Sequence, residues 1–122
     1  MQAKGSLAII THGGAGADKS WEDGCRQAVA VGLERLQIGE SALEAAIRAA
    51  VVLEDDVRFN AGYGSRLRMD GKTIEMDAAV MDSEGHLASI AAITEVKNPV
   101  LVARELLATP HLFLAGMTTI HK

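Results

Sequence analysis

The fold is decided at Leu53-Glu-Asp-Asp-Val-Arg-Phe-Asn-Ala-Gly-Tyr-Gly64, which divides the sequence into two parts of different periodicity. Over residues 21–54, leading into this stretch, apolar residues recur at helical spacing; over residues 74–80, after it, apolar and polar residues alternate as they do in strands. The stretch itself, with glycines at 62 and 64, is predicted to be a loop. Helices followed by antiparallel strands are typical of an α+β layered fold.

The part before the loop is predicted to contain a short strand and two helices. Residues 7–11 are apolar and β-branched and precede a glycine pair, so we expect a short buried strand there. A helix is expected from residue 21 to about residue 36, with Ser20 as its N-cap. The capping box at residues 41–44, Ser-Ala-Leu-Glu, predicts a second, deeply packed helix to about residue 54.

The part after the loop is predicted to be mainly strands. Residues 69–72, Met-Asp-Gly-Lys, are typical of a hairpin turn, and residues 74–80 alternate between apolar and polar side chains. A turn at residues 82–85 precedes a strand over residues 87–96 that is apolar on both faces. Asn98-Pro99 predicts the start of a helix to about residue 107, and another strand begins at residue 112.

Composition bounds the class of protein. The 122 residues are 48% apolar with a net charge of −4, and we interpret residues 1–122 as a single segment. The sequence has no Lys/Arg cluster, no apolar run of membrane-spanning length and no signal-peptide pattern, so we expect neither a nucleic-acid nor a membrane partner. The single cysteine, Cys25, excludes an internal disulfide and fits the reducing cytoplasm.

Residues 12–16, His-Gly-Gly-Ala-Gly, are the first candidate ligand loop. Glycines after a strand let the backbone approach an anion or a developing oxyanion, although the same residues also suit a plain strand-to-helix turn. A dinucleotide site is a weak interpretation because the third glycine of G-x-G-x-x-G is missing. We expect His12 to be a structural histidine anchored by hydrogen bonds, and Cys25 to be a buried structural thiol.

Two acidic segments are further candidates. Residues 54–56 are three consecutive acids near a helix C-terminus, where they oppose the helix dipole and a cation would offset the cost. The cation would be a divalent ion on carboxylates or a monovalent ion among backbone carbonyls, and a solvated helix end is the remaining alternative. Glu75 and Asp77 share one face of a strand, which suits glycoside hydrolysis, metal binding or an exposed face without function.

Taken in order, five blocks resemble one family. They are residues 12–16, residues 53–65, residues 75–82 (Glu-Met-Asp-Ala-Ala-Val-Met-Asp), residues 97–100 (Lys-Asn-Pro-Val) and residues 109–111 (Thr-Pro-His). From about residue 7 to about residue 115, the sequence is similar to the N-terminal part of the plant-type (type III) asparaginase / isoaspartyl peptidase family.

The resemblance implies an N-terminal-nucleophile hydrolase with an αββα sandwich, of which this chain is an incomplete part. Family members cut their own precursor once, and the new N-terminal threonine of the β chain is both nucleophile and general base. The implied substrates are L-asparagine and β-aspartyl (isoaspartyl) dipeptides. The implied partners are the β chain and a second αβ unit, giving an (αβ)2 dimer. Residues 1–122 hold no Gly-Thr-Val-Gly-like cleavage site, so we expect this chain alone to be inactive.

The resemblance also assigns roles to individual residues. Asn60 is expected beside the nucleophile, which it helps to position, and Gly13 and Gly14 are expected to line the site. No organic cofactor is implied. The loop is expected to bind structural Na+ (or K+) through main-chain oxygens, and the matching positions are Leu53, Glu54, Asp56, Phe59, Ala61 and Tyr63.

Gly116 is followed by Met-Thr-Thr-Ile-His-Lys where the family has a Gly-Glu-Gly-Ala-like segment. A non-catalytic remnant or interaction module of the same fold is therefore the alternative function.

Overall fold

The computed structural model describes residues 5–116, which form three α-helices and one three-stranded sheet. Short 3-10 turns precede the first helix and follow the second. This set of helices and strands confirms the expected α+β class. The elements are α1 (Glu22–Gln37), α2 (Ala42–Asp55), α3 (Pro99–Leu106), β1 (Met76–Met81), β2 (Leu87–Ile93) and β3 (Phe113–Ala115), with 3-10 turns at Lys19–Trp21 and Gly62–Gly64.

The sheet has the order β1-β2-β3. β1 and β2 form an antiparallel hairpin in which Met81 faces Leu87, as the turn signal at residues 82–85 predicts. β3 lies parallel to β2, with Ser89 opposite Phe113. Parallel neighbours need a crossover connection, and α3 supplies it.

The core lies where α2 and α3 cover one face of the sheet. In β1, Met76 and Val80 are buried while Asp77 and Ala79 are exposed, which confirms the predicted alternation. The predicted deep packing of the second helix is also confirmed. The buried cluster consists of Ile47, Met76, Val80, Ala88, Ile90, Ile93, Val100, Ala103 and Leu106.

The strand predicted at residues 7–11 is wrong. This segment forms no strand in the described range, and Leu7 and Ile10 are 52% and 92% exposed. A short apolar segment becomes a strand only where another strand offers a ladder of backbone groups. Here the segment packs alongside α1 instead. Ile9 Cδ1 lies against Gly32, and Thr11 Oγ1 donates to the Cys25 carbonyl at 3.0 Å.

Of the predicted N-caps before α1 and α2, the first is wrong and the second is half right. Asp18 Oδ1 accepts the Ser20 N–H at 2.8 Å and starts the 3-10 turn, so Ser20 does not cap α1. Ser41 Oγ accepts the Glu44 N–H at 3.1 Å, as a capping box requires. The Glu44 carboxylate does not return the bond but accepts from Arg104 Nη1 at 3.0 Å, which ties α2 to α3.

Two predicted strand boundaries are also corrected. The turn around Gly71, which has φ 68°, forms as predicted, but residues 65–75 on either side of it are not paired as strands, so β1 begins at Met76. The strand predicted over residues 87–96 ends at Ile93, next to Ala92 and Glu95, which have φ values of 54° and 60°. Residues 117–122, where the sequence departs from the family pattern, lie outside the described range.

Between residues 5 and 116, no helix is long and apolar enough to cross a membrane.

Candidate functional site

The three acids that end α2 each contact neighbouring protein groups, although the second carboxylate oxygen of Glu54 is buried without a hydrogen-bond partner in the described range. Glu54 is only 5% exposed, and its Oε1 accepts the N–H of Val100 in the first turn of α3 at 2.9 Å. Burial raises the pKa of the Glu54 carboxyl, and the Val100 N–H offsets part of this effect. An orphan donor at a helix N-terminus is a favourable partner for a carboxylate.

The next two acids have partners of their own. Asp55 Oδ1 accepts from the Asn98 side-chain amide at 2.9 Å, so Asn98 precedes α3 as predicted but does not cap it with its side chain. Asp56 holds the Arg58 guanidinium, with 2.7 Å between Oδ2 and Nη2, and this hydrogen bond lowers the pKa of Asp56. The expectation of a solvated acidic helix end is therefore wrong for the buried Glu54 and holds in part for Asp55, whose side chain is 40% exposed. The cation expected to offset the acidic run stays a prediction.

The backbone of the loop forms a cradle around two glycines. Gly62 has φ 50°, and a Cβ added there would lie 2.6 Å from the carbonyl oxygen of Glu54. A Cβ added at Gly64 would meet the carbonyl oxygens of Phe59 and Val57. These oxygens lie where no side chain fits, and backbone oxygens are the donors that suit Na+ or K+.

The six expected ligand positions run from the last turn of α2 to the 3-10 turn at Gly62–Gly64, and part of their hydrogen-bonding capacity is used. The carbonyls of Asp56, Phe59 and Ala61 accept backbone N–H groups at 3.1, 2.9 and 3.0 Å. Each carbonyl has a second lone pair that remains for an ion. Leu53 is in the last turn of α2, and Tyr63 is in the 3-10 turn with an exposed side chain. Backbone carbonyls with a free lone pair are ligands of the type that the expected cation would need.

Asn60 presents its amide at the surface of this loop. Its Oδ1 accepts the Arg66 N–H at 2.9 Å, which fixes the orientation of the amide group. Within residues 5–116, no hydrogen bond occupies the Asn60 Nδ2, so its two N–H donors are available to a further partner. Asn60 lines a cleft of about 190 Å³ together with Glu54, Glu75 and Asp77.

Gly13 and Gly14 have different environments. Gly14 has φ 96°, faces open space and donates its N–H to His12 Nδ1 at 2.9 Å, which anchors His12 as expected. A Cβ added at Gly13 would lie 2.7 Å from the Phe59 ring. Gly13 lines a separate depression of about 300 Å³, so Phe59 connects the two loops although Gly13 and Asn60 face different clefts.

The predicted acidic pair in β1 has structural partners. Asp77 Oδ1 accepts the Ala92 N–H at 2.8 Å across the irregular start of the β1–β2 ladder, and Glu75 pairs with Arg68 at 3.3 Å. These contacts favour neither glycoside hydrolysis nor a metal site at this pair. Cys25 is half-buried and free.

Sequence reasoning missed Arg58. It joins Asp56 to Asp23 in the first turn of α1, with 2.8 Å between Arg58 Nη1 and Asp23 Oδ1. The local signal was one basic residue two positions after three acids, but the 35-residue separation from Asp23 has no pattern in the sequence.

Comparison with known proteins places the chain in a family. A family profile described as asparaginase matches residues 5–120. A plant-type L-asparaginase of Pyrococcus horikoshii is 47% identical over 118 residues, which cover 90% of this chain and 38% of that protein. An isoaspartyl peptidase/L-asparaginase of Mus musculus is 40% identical over 119 residues, covering 91% of this chain and 36% of that protein. The chain thus spans less than two fifths of either relative, and it belongs to the asparaginase family.

Proposed function

We propose that this chain forms the N-terminal part of an amidohydrolase that acts on L-asparagine, β-aspartyl dipeptides or both. Family membership and the names of the relatives support the substrate class. The observation that carries the proposal is Asn60, whose amide is oriented by Arg66 with its two N–H donors available. The proposal includes a β chain, an αββα sandwich, an (αβ)2 assembly and a cytoplasmic location, which the lone cysteine Cys25 fits.

The proposed reaction uses a threonine that lies outside residues 1–122. Its hydroxyl oxygen attacks the substrate's side-chain carbonyl carbon, and its own α-amine takes the proton. The C–N bond then breaks, and ammonia or an amino acid leaves with that proton. Water hydrolyses the resulting ester to release aspartate.

In this scheme Asn60 binds the threonine side chain and orients it. The Oδ1 of Asn60 is occupied by the Arg66 N–H, so the group that Asn60 offers to an oxygen atom is its Nδ2. A neutral N–H donor stabilises negative charge that develops on an oxygen without itself titrating near neutral pH. Gly13 borders a separate depression, so this scheme gives Gly13 and Gly14 no contact with the Asn60 amide.

Two substitutions at Asn60 test the proposal. In the enzyme assembled with its β chain, Asn60→Ala removes donor and acceptor, whereas Asn60→Asp retains an acceptor for the Arg66 N–H and removes the amide donors. We expect kcat for ammonia release from L-asparagine to fall by about two orders of magnitude in both variants, as when one oxyanion donor is lost. Ser83→Ala in the β1–β2 turn is the control.

A normal kcat in Asn60→Asp would show that the Asn60 amide donors are not part of the proposed active site. Wild-type protein that assembles but releases neither ammonia from asparagine nor leucine from β-Asp-Leu would favour the non-catalytic interaction module.

The proposal also assigns a monovalent cation to the loop at residues 53–63. The close packing of the Glu54 carbonyl against Gly62, and of the Val57 and Phe59 carbonyls against Gly64, supports it. An ion that binds only the folded state raises stability by mass action. We expect the melting temperature to be higher in sodium or potassium chloride than in N-methyl-D-glucamine chloride of equal ionic strength. Equal melting temperatures in all three salts would contradict the cation site.

A further inference from the structure

Arg58 joins the loop that carries Asn60, at residues 53–63, to α1 through two carboxylates. Its Nη1 and Nη2 donate to Asp23 Oδ1 and Oδ2 at 2.8 and 2.9 Å, and its Nε and Nη2 donate to Asp56 Oδ1 and Oδ2 at 3.0 and 2.7 Å. All three guanidinium nitrogens are used. A planar fork held on two sides has far less freedom than a single surface ion pair.

The residue after Arg58 is fixed as tightly. The Phe59 side chain is 2% exposed, and a Cβ at Gly13 or at Gly24 would lie 2.7 or 2.6 Å from its ring. Trp21 meets this ring edge-on, with centroids 6.1 Å apart, and the Arg58 guanidinium lies 5.9 Å from the ring centroid. The two residues before Asn60 are thus held between α1 and the His12–Gly13 turn.

Asn60 itself has one anchor in the described range. Its side chain is exposed and is bonded to the Arg66 N–H, so the position of the amide depends on where the backbone of residues 58 and 59 is held. The Asp23–Arg58–Asp56 clamp is the polar connection that fixes this backbone to a helix.

We propose that Arg58, clamped between Asp23 and Asp56, is a positioning residue that sets the place of the Asn60 amide. This inference rests on the proposed function of Asn60. Arg58 contacts neither substrate nor nucleophile in this scheme; it acts through Phe59 and the loop backbone. A reacting group displaced by about 1 Å costs up to about a hundredfold in rate, so loosening the clamp affects turnover more than substrate binding.

Three variants separate positioning from simple stabilisation. Arg58→Met removes the clamp, Arg58→Lys keeps the charge but cannot hold two carboxylates by a fork, and Asp23→Asn weakens one side only. Arg26→Met is the matched control, because Arg26 lies in α1 and pairs with Glu22 on an exposed face. If Arg58→Met does not fold, Arg58→Lys and Asp23→Asn answer the same question.

Two readouts are needed. The first is kcat per titrated active site, and KM, for L-asparagine in the assembled enzyme. The second is deuterium uptake of a peptide covering residues 57–66, with one covering residues 87–93 as the reference for the sheet. We expect kcat per site to fall about tenfold or more in Arg58→Met with KM changed less than about twofold. Exchange should accelerate in residues 57–66 alone, with a smaller effect in Asp23→Asn and none in Arg26→Met.

The outcomes are distinct. An unchanged kcat per site would overturn the proposal, because a structural ion pair lowers only the amount of folded enzyme. A reduced kcat with unchanged exchange in residues 57–66 would also overturn it, because Arg58 would then act by another route. If wild-type enzyme shows no turnover, the proposed function fails. In that case the deuterium exchange of residues 57–66 in Arg58→Met tests the positioning role of Arg58. Faster exchange than in the wild type supports this role, and unchanged exchange overturns it.

Discussion

At the scale of single residues, Asp82 uses both oxygens to close the turn between β1 and β2. Its Oδ1 accepts the N–H groups of Glu84 and His86 at 2.9 and 3.0 Å, and its Oδ2 lies 2.7 Å from His86 Nδ1. The hydrogen bond with Asp82 raises the pKa of His86, and the same bond lowers the pKa of Asp82. Within residues 5–116, Asp82, Glu84 and His86 are also the one group of side chains close enough together to share a metal ion.

This pair predicts a pH window of stability. Because the pKa of His86 is raised in the folded protein, its contribution to stability is complete below pH 6.5, the ordinary pKa of the side chain. This contribution is lost as the pH rises through the pKa of the folded state. Because the pKa of Asp82 is lowered in the folded protein, its contribution to stability is complete above pH 3.8, the ordinary pKa of the side chain. This contribution is lost as the pH falls through the pKa of the folded state. We therefore expect His86→Gln to lower the melting temperature more at about pH 5.5 than at about pH 8.5. His111→Gln is the control, and an equal decrease at both pH values would contradict the pairing.

Gly24 gives a second residue-scale prediction. Alanine in place of a helical glycine gains about 1 kcal/mol of helix propensity. Here the added Cβ would lie 2.6 Å from the buried Phe59 ring and 3.0 Å from Asp56 Oδ2. Overpacking of this kind costs about 1–3 kcal/mol, which is at least as large as the gain, and the buried ring has little room to move. We expect Gly24→Ala to lower the midpoint of urea unfolding while Gly16→Ala, which meets no atom within 4 Å, leaves it nearly unchanged.

At the scale of elements, Glu54 links the end of α2 to the start of α3. Glu54→Ala would leave the buried Val100 N–H without an acceptor, which costs about 1–3 kcal/mol of unfolding free energy. Glu54→Gln retains an acceptor oxygen and should cost less. Ser41→Ala removes an exposed cap at the other end of α2 and should cost about 1 kcal/mol. Denaturant unfolding of the three variants measures these losses of unfolding free energy. A Glu54→Ala variant as stable as Glu54→Gln would contradict the role of the Glu54 carboxylate as acceptor.

The elements that were predictable are those whose signal is local. The alternation in β1 and the serine before α2 depend on residues two to four positions apart, and both predictions are confirmed. The segment at residues 7–11 has the composition of a strand, but its state depends on whether a strand lies beside it, which its own residues do not encode. The clamp of Arg58 is of the same kind, since Asp23 is placed by the packing of α1 against α2.

At the scale of the whole molecule, apolar surface remains exposed in several places. Ile10 is 92% exposed, and Leu112 and Phe113 are exposed next to β3 and within it. β1 and β3 are the edge strands of the described sheet. Edge strands bordered by exposed apolar side chains favour association with further protein. This arrangement agrees with the proposal that a β chain covers these surfaces.

The 122-residue chain alone should therefore self-associate and have no amidase activity. Its apolar surfaces favour aggregation, and the proposed chemistry needs a threonine with a free α-amine in a setting that residues 1–122 do not contain. Light scattering after size exclusion should show large species for the lone chain, and co-production with a β chain beginning at that threonine should give a defined assembly. Ammonia release from L-asparagine should appear only in the second sample, with both samples purified from a host that lacks its own asparaginases. Turnover by the lone chain would contradict the proposed mechanism, because the nucleophile would then have to lie among residues 1–122.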